Sequence, residues 1–489
     1  MADFSRTHSL TGFFAPTRFE ADVTDCVVTG TIPPELDGAF YRLHGDYIYA
    51  PIYPDEASIS ADGYISSFRI RNGTVDYRGR YVKTDRYVRQ VQARKALYGY
   101  YRNPLTDDPS VRDADNPHLR TSANTTPVVL AGKLYATKEE GLPYEVDADT
   151  LETVGPTDFG GTWKSQTFTA HPKIDPATGE TLAWGYEAKG LTSKDVHVAA
   201  FDKDGKITWS VDFEAPYTTM LHDMALTENY LIIPGGGLVT SMERLEEPRP
   251  HWGWDRKLPS YYVIVPRGGK AEDVRIFEAP EACIVHVANA WEEGDTLVMD
   301  APIADGNVWP YFEDIDGGAF VMNIFTIRRM RFDLTSNSGR AQEEVLFDRD
   351  VTSFTRIDDR FVTRPHRYIW VQYADSDRPF NGVLPDDPRL RPVNCYGRFD
   401  VVEGRELAWF AGPDCVLQEP VFVPRSPDAA EGDGFLLGTA HNLTEMRSEL
   451  VILDAVAMTE LARVILPFRN AYQIHGAWAT ARELDLAPV

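Results

Sequence analysis

The chain has 489 residues and a formal net charge of −25, with 74 acidic residues against 49 Lys and Arg. This balance excludes the clustered positive charge with which proteins bind nucleic acid or an anionic membrane surface. The apolar fraction of 43% is that of an ordinary globular protein, so the chain can bury a large core.

The four cysteines lie far apart in the chain and form no CxxC pair; they are Cys26, Cys283, Cys395 and Cys415. Such spacing indicates buried free thiols in a reducing compartment rather than a disulfide framework. The first residues, MADFSRTHSLTG, lack the basic and apolar regions of a secretory signal, and no apolar run reaches the ~18 residues of a membrane span. We therefore expect a cytoplasmic protein without membrane insertion.

Short strands dominate the predicted elements from the N-terminus onward. Each is a run of β-branched and aromatic residues bounded by Gly, Pro, Asn or Asp. RNGT and DKDG lie within two of the longer runs and predict hairpin turns in which Asn or Gly adopts positive φ. In chain order the runs are AFYRLHG, GYISSFRIRNGTVDYRGRYV, GKLYATKE, HVAAFDKDGKITWSVDF, NYLIIP, YYVIVPRGG, DTLVMDAP, RYIWVQYA and GFLLGTAHN.

Helical signals are few. PSVRDADNPHLR (109–120) and AVAMTELARV (455–464) are the candidates, and the second fits a strand with a loop equally well. Strands continue from about residue 25 to 485 without a linker, and the WD and kelch signatures are absent. A β-propeller accommodates an all-β chain of this length, because radial repetition leaves only short edges. We expect one such domain over residues 1–489, with about seven blades and long loops that build a site.

Four of the eleven histidines lie in similar contexts, each after apolar residues where a strand would enter or leave the centre of a propeller. No HExxH, HxH or Cys/His cluster is present, which excludes zincins and zinc fingers. Taken singly, each histidine is more often a core residue than a ligand, and imidazole does not choose between Fe, Cu, Zn and Ni. The four are His171 in TFTAHPKIDPATGE, His222 in TMLHDMALTENY, His286 in CIVHVANAWEEGD and His475 in NAYQIHGAWAT.

These four segments resemble the metal-binding segments of the carotenoid cleavage oxygenase family. Further similarities follow in chain order: VTGTIPPELDGAFYRLHG, HWGWDRKLPSYYVIVPR, RIDDRFVTRPHRYIW and EPVFVPRSPDAAEGDGFLL. The resemblance implies a seven-bladed β-propeller with a cap of loops and short helices over an axial metal site. It also implies that His171, His222, His286 and His475 hold one Fe(II), with open positions for O2 as co-substrate. His366 stands where the family commonly has an aromatic residue, so we interpret it as a blade residue.

The family orients three of its ligand histidines with Glu residues. Glu139 in TKEEGLPYEV and Glu419 in QEPVFVP match two of these places, whereas Ser353 occupies the third. Ser353 implies either weaker iron binding or another acceptor for that ligand. The alternative for Glu139 is a solvated acidic pair with Glu140.

Tyr101 in LYGYYRNP and Lys138 in LYATKEEG resemble the pair that contacts the 4-hydroxyl of the substrate in the lignostilbene dioxygenases, a bacterial branch of the family. A cation beside a phenol favours phenolate, which makes the conjugated alkene more nucleophilic. The alternatives are packing of Tyr101 with neighbouring tyrosines and a surface Lys138 offset by acidic neighbours. Ile59 stands where these enzymes often have a Phe that stacks on the substrate ring.

The segment RNPLTDDPSVRDADNPHLRTSANTTP (102–127) is polar and acidic where carotenoid cleavers carry apolar, membrane-dipping residues. The sequence thus favours a small phenolic aromatic substrate. The resulting hypothesis is an Fe(II)-dependent dioxygenase that cleaves the central C=C of a 4-hydroxystilbene into two aromatic aldehydes. The alternatives are the same chemistry on a phenylpropanoid or apocarotenoid, and a ligand-binding propeller without catalysis. Relatives of this kind are often homodimers, and the sequence does not decide the oligomeric state.

Overall fold

A computed structural model describes residues 4–5, 7, 10–112, 117–384, 391–472 and 474–486. Its regular structure is almost entirely β, with two α-helices in the described residues, α1 (Asp85–Ala93) and α2 (Met242–Leu245). None of the helices in this part of the chain is long and apolar enough to cross a bilayer.

The first nine strands precede residue 157. β5 illustrates why they form: in TVDYRGRY the buried residues Val75, Tyr77, Gly79 and Tyr81 alternate with more exposed ones, as period-two burial requires. The strands are β1 (Ala21–Val23), β2 (Val27–Gly30), β3 (Gly38–Gly45), β4 (Gly63–Arg71), β5 (Thr74–Tyr81), β6 (Thr126–Leu130), β7 (Lys133–Thr137), β8 (Tyr144–Val146) and β9 (Thr153–Pro156).

Sixteen strands follow up to residue 356. They are β10 (Lys173–Ile174), β11 (Thr181–Tyr186), β12 (Asp195–Phe201), β13 (Ile207–Glu214), β14 (Ala225–Leu226), β15 (Tyr230–Gly235), β16 (Leu238–Val239), β17 (Gly253–Trp254), β18 (Ser260–Pro266), β19 (Arg275–Ala279), β20 (Cys283–Ile284), β21 (Asn289–Glu293), β22 (Thr296–Ala304), β23 (Phe325–Asp333), β24 (Gln342–Val351) and β25 (Thr355–Arg356).

The last nine strands end at residue 480. They are β26 (Tyr368–Tyr373), β27 (Cys395–Asp400), β28 (Arg405–Phe410), β29 (Cys415–Leu417), β30 (Val421–Pro424), β31 (Gly434–Asn442), β32 (Arg447–Asp454), β33 (Thr459–Ile465) and β34 (His475–Thr480).

The chain forms two compact units. The first comprises Met1–Thr157, Trp370–Phe399 and Glu406–Val489, and the second comprises Asp158–Ile369 and Asp400–Arg405. In the first unit the sheets have the orders β1-β5-β4-β3-β34, β6-β7-β8-β9 and β2-β33-β32-β31-β29, with β30 also paired to β31. Strands from the two ends of the chain therefore share sheets, because β34 pairs with β3 and β33 pairs with β2.

The second unit has sheets of order β10-β11-β12-β13, β14-β15-β18-β19 and β20-β22-β23-β24, with β21 also paired to β22, and a small β16-β17 pair. A further sheet has the order β25-β26-β27-β28. The seven larger sheets are the blades of a seven-bladed β-propeller, which confirms the predicted all-β fold. The prediction that residues 1–489 form a single domain stays a prediction.

Aliphatic and aromatic side chains fill each unit between its own sheets. A core of the first unit packs Phe40 and Phe68 against Leu437 and Ile452, all fully buried. A core of the second unit packs Tyr262 and Phe332 with aliphatic residues of neighbouring strands. Burial of each such side chain stabilises the fold by about 1.5–3 kcal/mol.

The turn predictions are confirmed and the helix predictions are not. Asn72 and Gly73 both have positive φ between β4 and β5, and Gly205 has positive φ between β12 and β13. Residues 455–464 form a turn and most of β33, which is the strand alternative. Of the stretch 109–120, only Pro117–Arg120 forms a 3₁₀ turn, and residues 113–116 lie outside the described residues.

Helix α1 was not predicted, although its ends carry ordinary capping signals. The Thr84 hydroxyl accepts from Tyr87 N at the N-terminus, and Arg94 adopts the left-handed conformation at the C-terminus. Its buried residues are the polar Arg86 and Gln90, so it lacks the apolar stripe by which helices are recognised in a sequence.

Gly63 provides a test of the packing of β4 against the buried segment before β6. A Cβ there would lie 2.4 Å from the Ser122 carbonyl oxygen and 2.5 Å from that of Ala123. We predict that Gly63→Ala lowers the free energy of unfolding by about 3 kcal/mol or more, because two backbone oxygens must move. Urea denaturation measures this loss.

The matched control is Gly132→Ala. Its Cβ would meet no atom closer than 3.7 Å, but the alanine would have to adopt the backbone φ of +72° found at Gly132. Its expected cost is about 1 kcal/mol, from backbone strain alone. Equal costs for the two variants would contradict the close packing at Gly63.

Candidate metal centre

Three of the four predicted ligand histidines lie in the second unit, each beside the first strand of a different sheet. His171 comes two residues before β10, His222 comes three residues before β14, and His286 lies between β20 and β21. All three belong to short irregular segments. Three successive blades thus each deliver one imidazole from the same position in the blade.

The Nε2 atoms of these three histidines face one another. The Nε2–Nε2 distance is 3.1 Å between His171 and His222 and 3.2 Å between His222 and His286. The rings are edge-on, with interplanar angles of 64–76°. Two nitrogen ligands at right angles on one ion, each with a bond of about 2.1 Å, are about 3 Å apart. The spacing therefore fits ligands of a single metal ion.

Ser353 occupies the place at which the family has a Glu, and it contacts His286. The Nδ1 atom of His286 lies 3.1 Å from both the carbonyl oxygen and the hydroxyl oxygen of Ser353. Because a carbonyl only accepts, Nδ1 carries the proton that it donates, and Nε2 is left with its lone pair. Phe354 stacks on the same ring, with centroids 5.0 Å apart. Ser353 thus offers two oxygens, one of the main chain and one of the side chain, within hydrogen-bond distance of His286 Nδ1.

His475 lies in the first unit, where it begins β34 opposite Leu43 of β3. Its Nδ1 atom is 3.0 Å from Oε1 of Glu419, and the other carboxylate oxygen accepts from Gly476 N at 3.0 Å. Arg42 donates to the Glu419 carbonyl oxygen at 2.8 Å, which fixes the segment that carries this carboxylate. Glu419 therefore contacts the Nδ1 side of His475, which leaves Nε2 free of this contact; its role in orienting a metal ligand stays a prediction.

The structure brings the four predicted histidines together as a group that can hold a metal ion. The ligand atoms of His171, His222, His286 and His475 all lie within 4.8 Å of one another. His366 is not in this group: its ring packs in a blade beside Asp300 and Asn289, and burial lowers its pKa to about 4. This placement agrees with the interpretation of His366 as a blade residue.

Asp223 links the three ligand segments of the second unit. This side chain is 2% exposed; one carboxylate oxygen accepts from Val287 N at 2.9 Å and the other from Lys173 Nζ at 2.8 Å. Asp223 directly follows His222, Val287 directly follows His286, and Lys173 lies two residues after His171. One buried carboxylate therefore holds all three segments, whereas sequence analysis alone gives Asp223 no particular role.

Tyr101 and Lys138 lie together in the first unit, each 3% exposed. The Lys138 Nζ atom is 5.1 Å from the centroid of the Tyr101 ring, within cation–π range. Nζ donates to the carbonyl oxygen of Ile59 at 2.6 Å and to Oδ1 of Asn124 at 2.9 Å. The alternative of a surface lysine is wrong, and Ile59 contacts this pair through its main chain.

Glu139 and Glu140 are also buried, so the alternative of a solvated acidic pair is wrong. Glu140 accepts from Ser122 N at 3.3 Å. Burial lowers the pKa of Lys138, and the nearby carboxylates Glu140 and Glu139 partly offset that shift. The role of Glu139 as a partner of a ligand histidine stays a prediction.

Residues 102–127 are less exposed than their polar composition indicates. Arg120 and Asp107 form a buried ion pair with an Nε–Oδ2 distance of 2.7 Å, and residues 120–126 are buried throughout. Arg120 and Asp107 are thus paired in the interior, so part of this polar segment is buried. Residues 113–116 lie outside the described residues.

Comparison with known proteins supplies the family. The family described as RPE65, retinal pigment epithelial membrane protein, matches residues 14–480. The lignostilbene-alpha,beta-dioxygenase isozyme III of Sphingomonas paucimobilis is 40% identical to this chain over 494 residues, which cover 100% of both chains. The isoeugenol monooxygenase of Pseudomonas putida is 39% identical, over 98% of this chain and 99% of its own.

Among solved structures, the lignostilbene dioxygenase of Pseudomonas brassicacearum superposes with a TM-score of 0.93 at 37% identity, over 98% of this chain and 99% of its own. Fold, histidine group and near-complete sequence coverage agree, and the chain belongs to the RPE65 family, that of the carotenoid cleavage oxygenases.

Proposed function

We propose that this protein is an Fe(II)-dependent dioxygenase that cleaves the central C=C bond of a 4-hydroxystilbene into two aromatic aldehydes, with O2 as co-substrate. The observation that carries the proposal is the buried pair of Tyr101 and Lys138, whose ammonium is bonded to two uncharged oxygens. The names of the lignostilbene-cleaving relatives support the same substrate class.

The residues present fit the metal. Four imidazoles supply the donor set, and the Nδ1 contacts of His286 with Ser353 and of His475 with Glu419 direct Nε2 to an ion. His171, His222, His286 and His475 would hold it. Bound there, Fe(II) would supply the redox chemistry that activates O2 toward the alkene. Imidazole alone does not select iron, and family membership is what favours it.

The role proposed for Lys138 is electrostatic. An ammonium next to a phenol stabilises the phenolate, and Tyr101 offers a hydroxyl donor to the same oxygen. Negative charge on that oxygen spreads through the conjugated ring to the alkene and makes it electron-rich. Because water screens a buried cation poorly, the interaction is stronger here than on a protein surface. The residues of this chain thereby bind the phenol and prepare the alkene for oxygenation.

A 4-alkenylphenol of the isoeugenol type is the second candidate substrate. The relative at 39% identity named isoeugenol monooxygenase favours it, since such a compound carries the same phenol conjugated to an alkene.

Turnover of trans-4-hydroxystilbene, trans-4-methoxystilbene and isoeugenol by the iron-loaded protein distinguishes the two candidate substrates. We expect aldehydes from 4-hydroxystilbene and none from its methyl ether. Cleavage of isoeugenol alone would replace the stilbene by the phenylpropanoid, and equal cleavage of the two stilbenes would contradict activation through the phenol.

Lys138→Met tests the electrostatic role. We predict that kcat/KM for 4-hydroxystilbene falls about 100-fold or more, the usual effect of removing one preorganised charge-stabilising group. Iron content measured on the same sample remains at the wild-type level.

The matched control is Lys133→Met, since Lys133 lies in the same β7 region but is exposed and pairs with Glu145. It should leave kcat/KM unchanged. A Lys138→Met enzyme with wild-type kcat/KM would refute phenol activation by Lys138.

Asp223→Ala tests the metal centre. Removal of the carboxylate frees three ligand segments at once, and we predict a 10- to 100-fold loss of iron affinity, about the effect of losing a partner that orients a ligand. Iron per protein after anaerobic dialysis against a weak chelator measures this loss.

Asp212→Asn is the control, because Asp212 contacts His197, a histidine outside the four-histidine group. It should retain iron like the wild type. Full iron retention by Asp223→Ala would contradict the proposal that Asp223 holds the three ligand segments in place.

A further inference from the structure

Asn124 fixes the position of Lys138. Its Oδ1 accepts from Lys138 Nζ at 2.9 Å, while its Nδ2 donates to the carbonyl oxygens of Ile59 at 2.9 Å and Ala61 at 2.7 Å. A flipped amide would set its oxygen against two carbonyl oxygens, so the contacts determine the orientation. Lys138 Nζ also bonds the Ile59 carbonyl oxygen. The Lys138 ammonium, the Asn124 amide and the Ile59 carbonyl oxygen are therefore each hydrogen-bonded to the other two.

The backbone next to Asn124 is conformationally strained. Ala123, directly before it, has a φ of +46°, a strained value for a residue with a side chain. The chain is also packed tightly from the other side, since a Cβ on Gly45 would lie 3.2 Å from Asn124 Nδ2. Asn124 is fully buried. Strain and tight packing at one buried amide indicate that its placement matters for function.

The amide also determines that the side chain bonded directly to the Lys138 ammonium is uncharged. Both oxygens that accept directly from Nζ are uncharged, the amide oxygen of Asn124 and the main-chain oxygen of Ile59. A carboxylate at position 124 would form an ion pair with the ammonium and repel a phenolate. A neutral acceptor instead anchors the cation and leaves its charge available to a ligand.

We propose that Asn124 is a positioning residue for phenol activation: it anchors the Lys138 ammonium without neutralising it and thereby selects substrates that bind as phenolates. This inference rests on the proposed function, since it assumes that Lys138 meets the phenol. It adds a second residue on which the preference for a free 4-hydroxyl depends, through Lys138 and without contact to the reacting carbons.

The test uses the absorption of bound trans-4-hydroxystilbene, because the phenolate absorbs at longer wavelength than the phenol. The full-length iron-loaded protein is titrated with pH under argon, which withholds O2 and prevents turnover. Four variants are compared with the wild type: Asn124→Asp, Asn124→Leu, Lys138→Met and Thr125→Val. Thr125 donates to the same Oδ1 at 3.2 Å, so its variant is the matched control for a change beside Asn124.

We expect both Asn124 variants to raise the pH midpoint of the bound phenol by about one unit or more, the usual effect of removing or neutralising a nearby cation. In air, kcat for 4-hydroxystilbene should fall about ten-fold while KM changes less. Thr125→Val should titrate like the wild type. Thermal unfolding verifies that each variant is folded. In a folded variant, loss of a residue with only a structural role would leave the pH midpoint of the bound phenol unchanged. If Asn124→Leu does not fold, the isosteric Asn124→Asp decides.

Two failures are distinguishable. If Lys138→Met shifts the midpoint and abolishes turnover while both folded Asn124 variants behave like the wild type, the positioning role is wrong and the proposed function stands. If Lys138→Met itself keeps the wild-type midpoint and turnover, the proposed phenol activation fails, and the inference about Asn124 fails with it.

Discussion

One buried carboxylate joins the segments that carry three histidines of the candidate metal centre. Asp223 accepts from Met224 N, Val287 N and Lys173 Nζ, and so it joins the segments that carry His222, His286 and His171. Each of the three histidines lies in a short irregular segment between strands. Because a buried carboxylate is stable only when it is paired, Asp223 and its donors require one another. We therefore expect the close approach of the three Nε2 atoms to depend on this link.

The residues proposed to bind the phenol have a comparable arrangement in the first unit. There a strained, buried segment places Asn124 against Lys138, and Ile59 contributes a main-chain oxygen rather than an aromatic wall. The replacement of a family Glu by Ser353 follows the same logic, since a main-chain carbonyl serves as the acceptor for His286. In both places a main-chain oxygen contributes a contact that amino-acid types alone do not reveal.

Much of the fold is predictable from local patterns. Alternating strands, Gly and Asn turns and scattered cysteines lead to an all-β propeller with buried thiols, and all four cysteines are free and buried. The grouping of histidines separated by 51 to 189 residues required the resemblance to a family. Asp223 and Asn124 could not be found in this way, because their roles arise from contacts with distant segments. Helix α1 was not predicted because it buries polar side chains and lacks an apolar stripe.

The most direct test of the account is a single turnover of the iron-loaded protein with trans-4-hydroxystilbene under ¹⁸O2, followed by mass spectrometry of the products after rapid quenching. The account predicts equal amounts of 4-hydroxybenzaldehyde and benzaldehyde, each with one oxygen atom from O2. Absence of aldehydes from protein that carries stoichiometric iron would contradict alkene cleavage. Aldehydes whose oxygen comes only from water would contradict a dioxygenase.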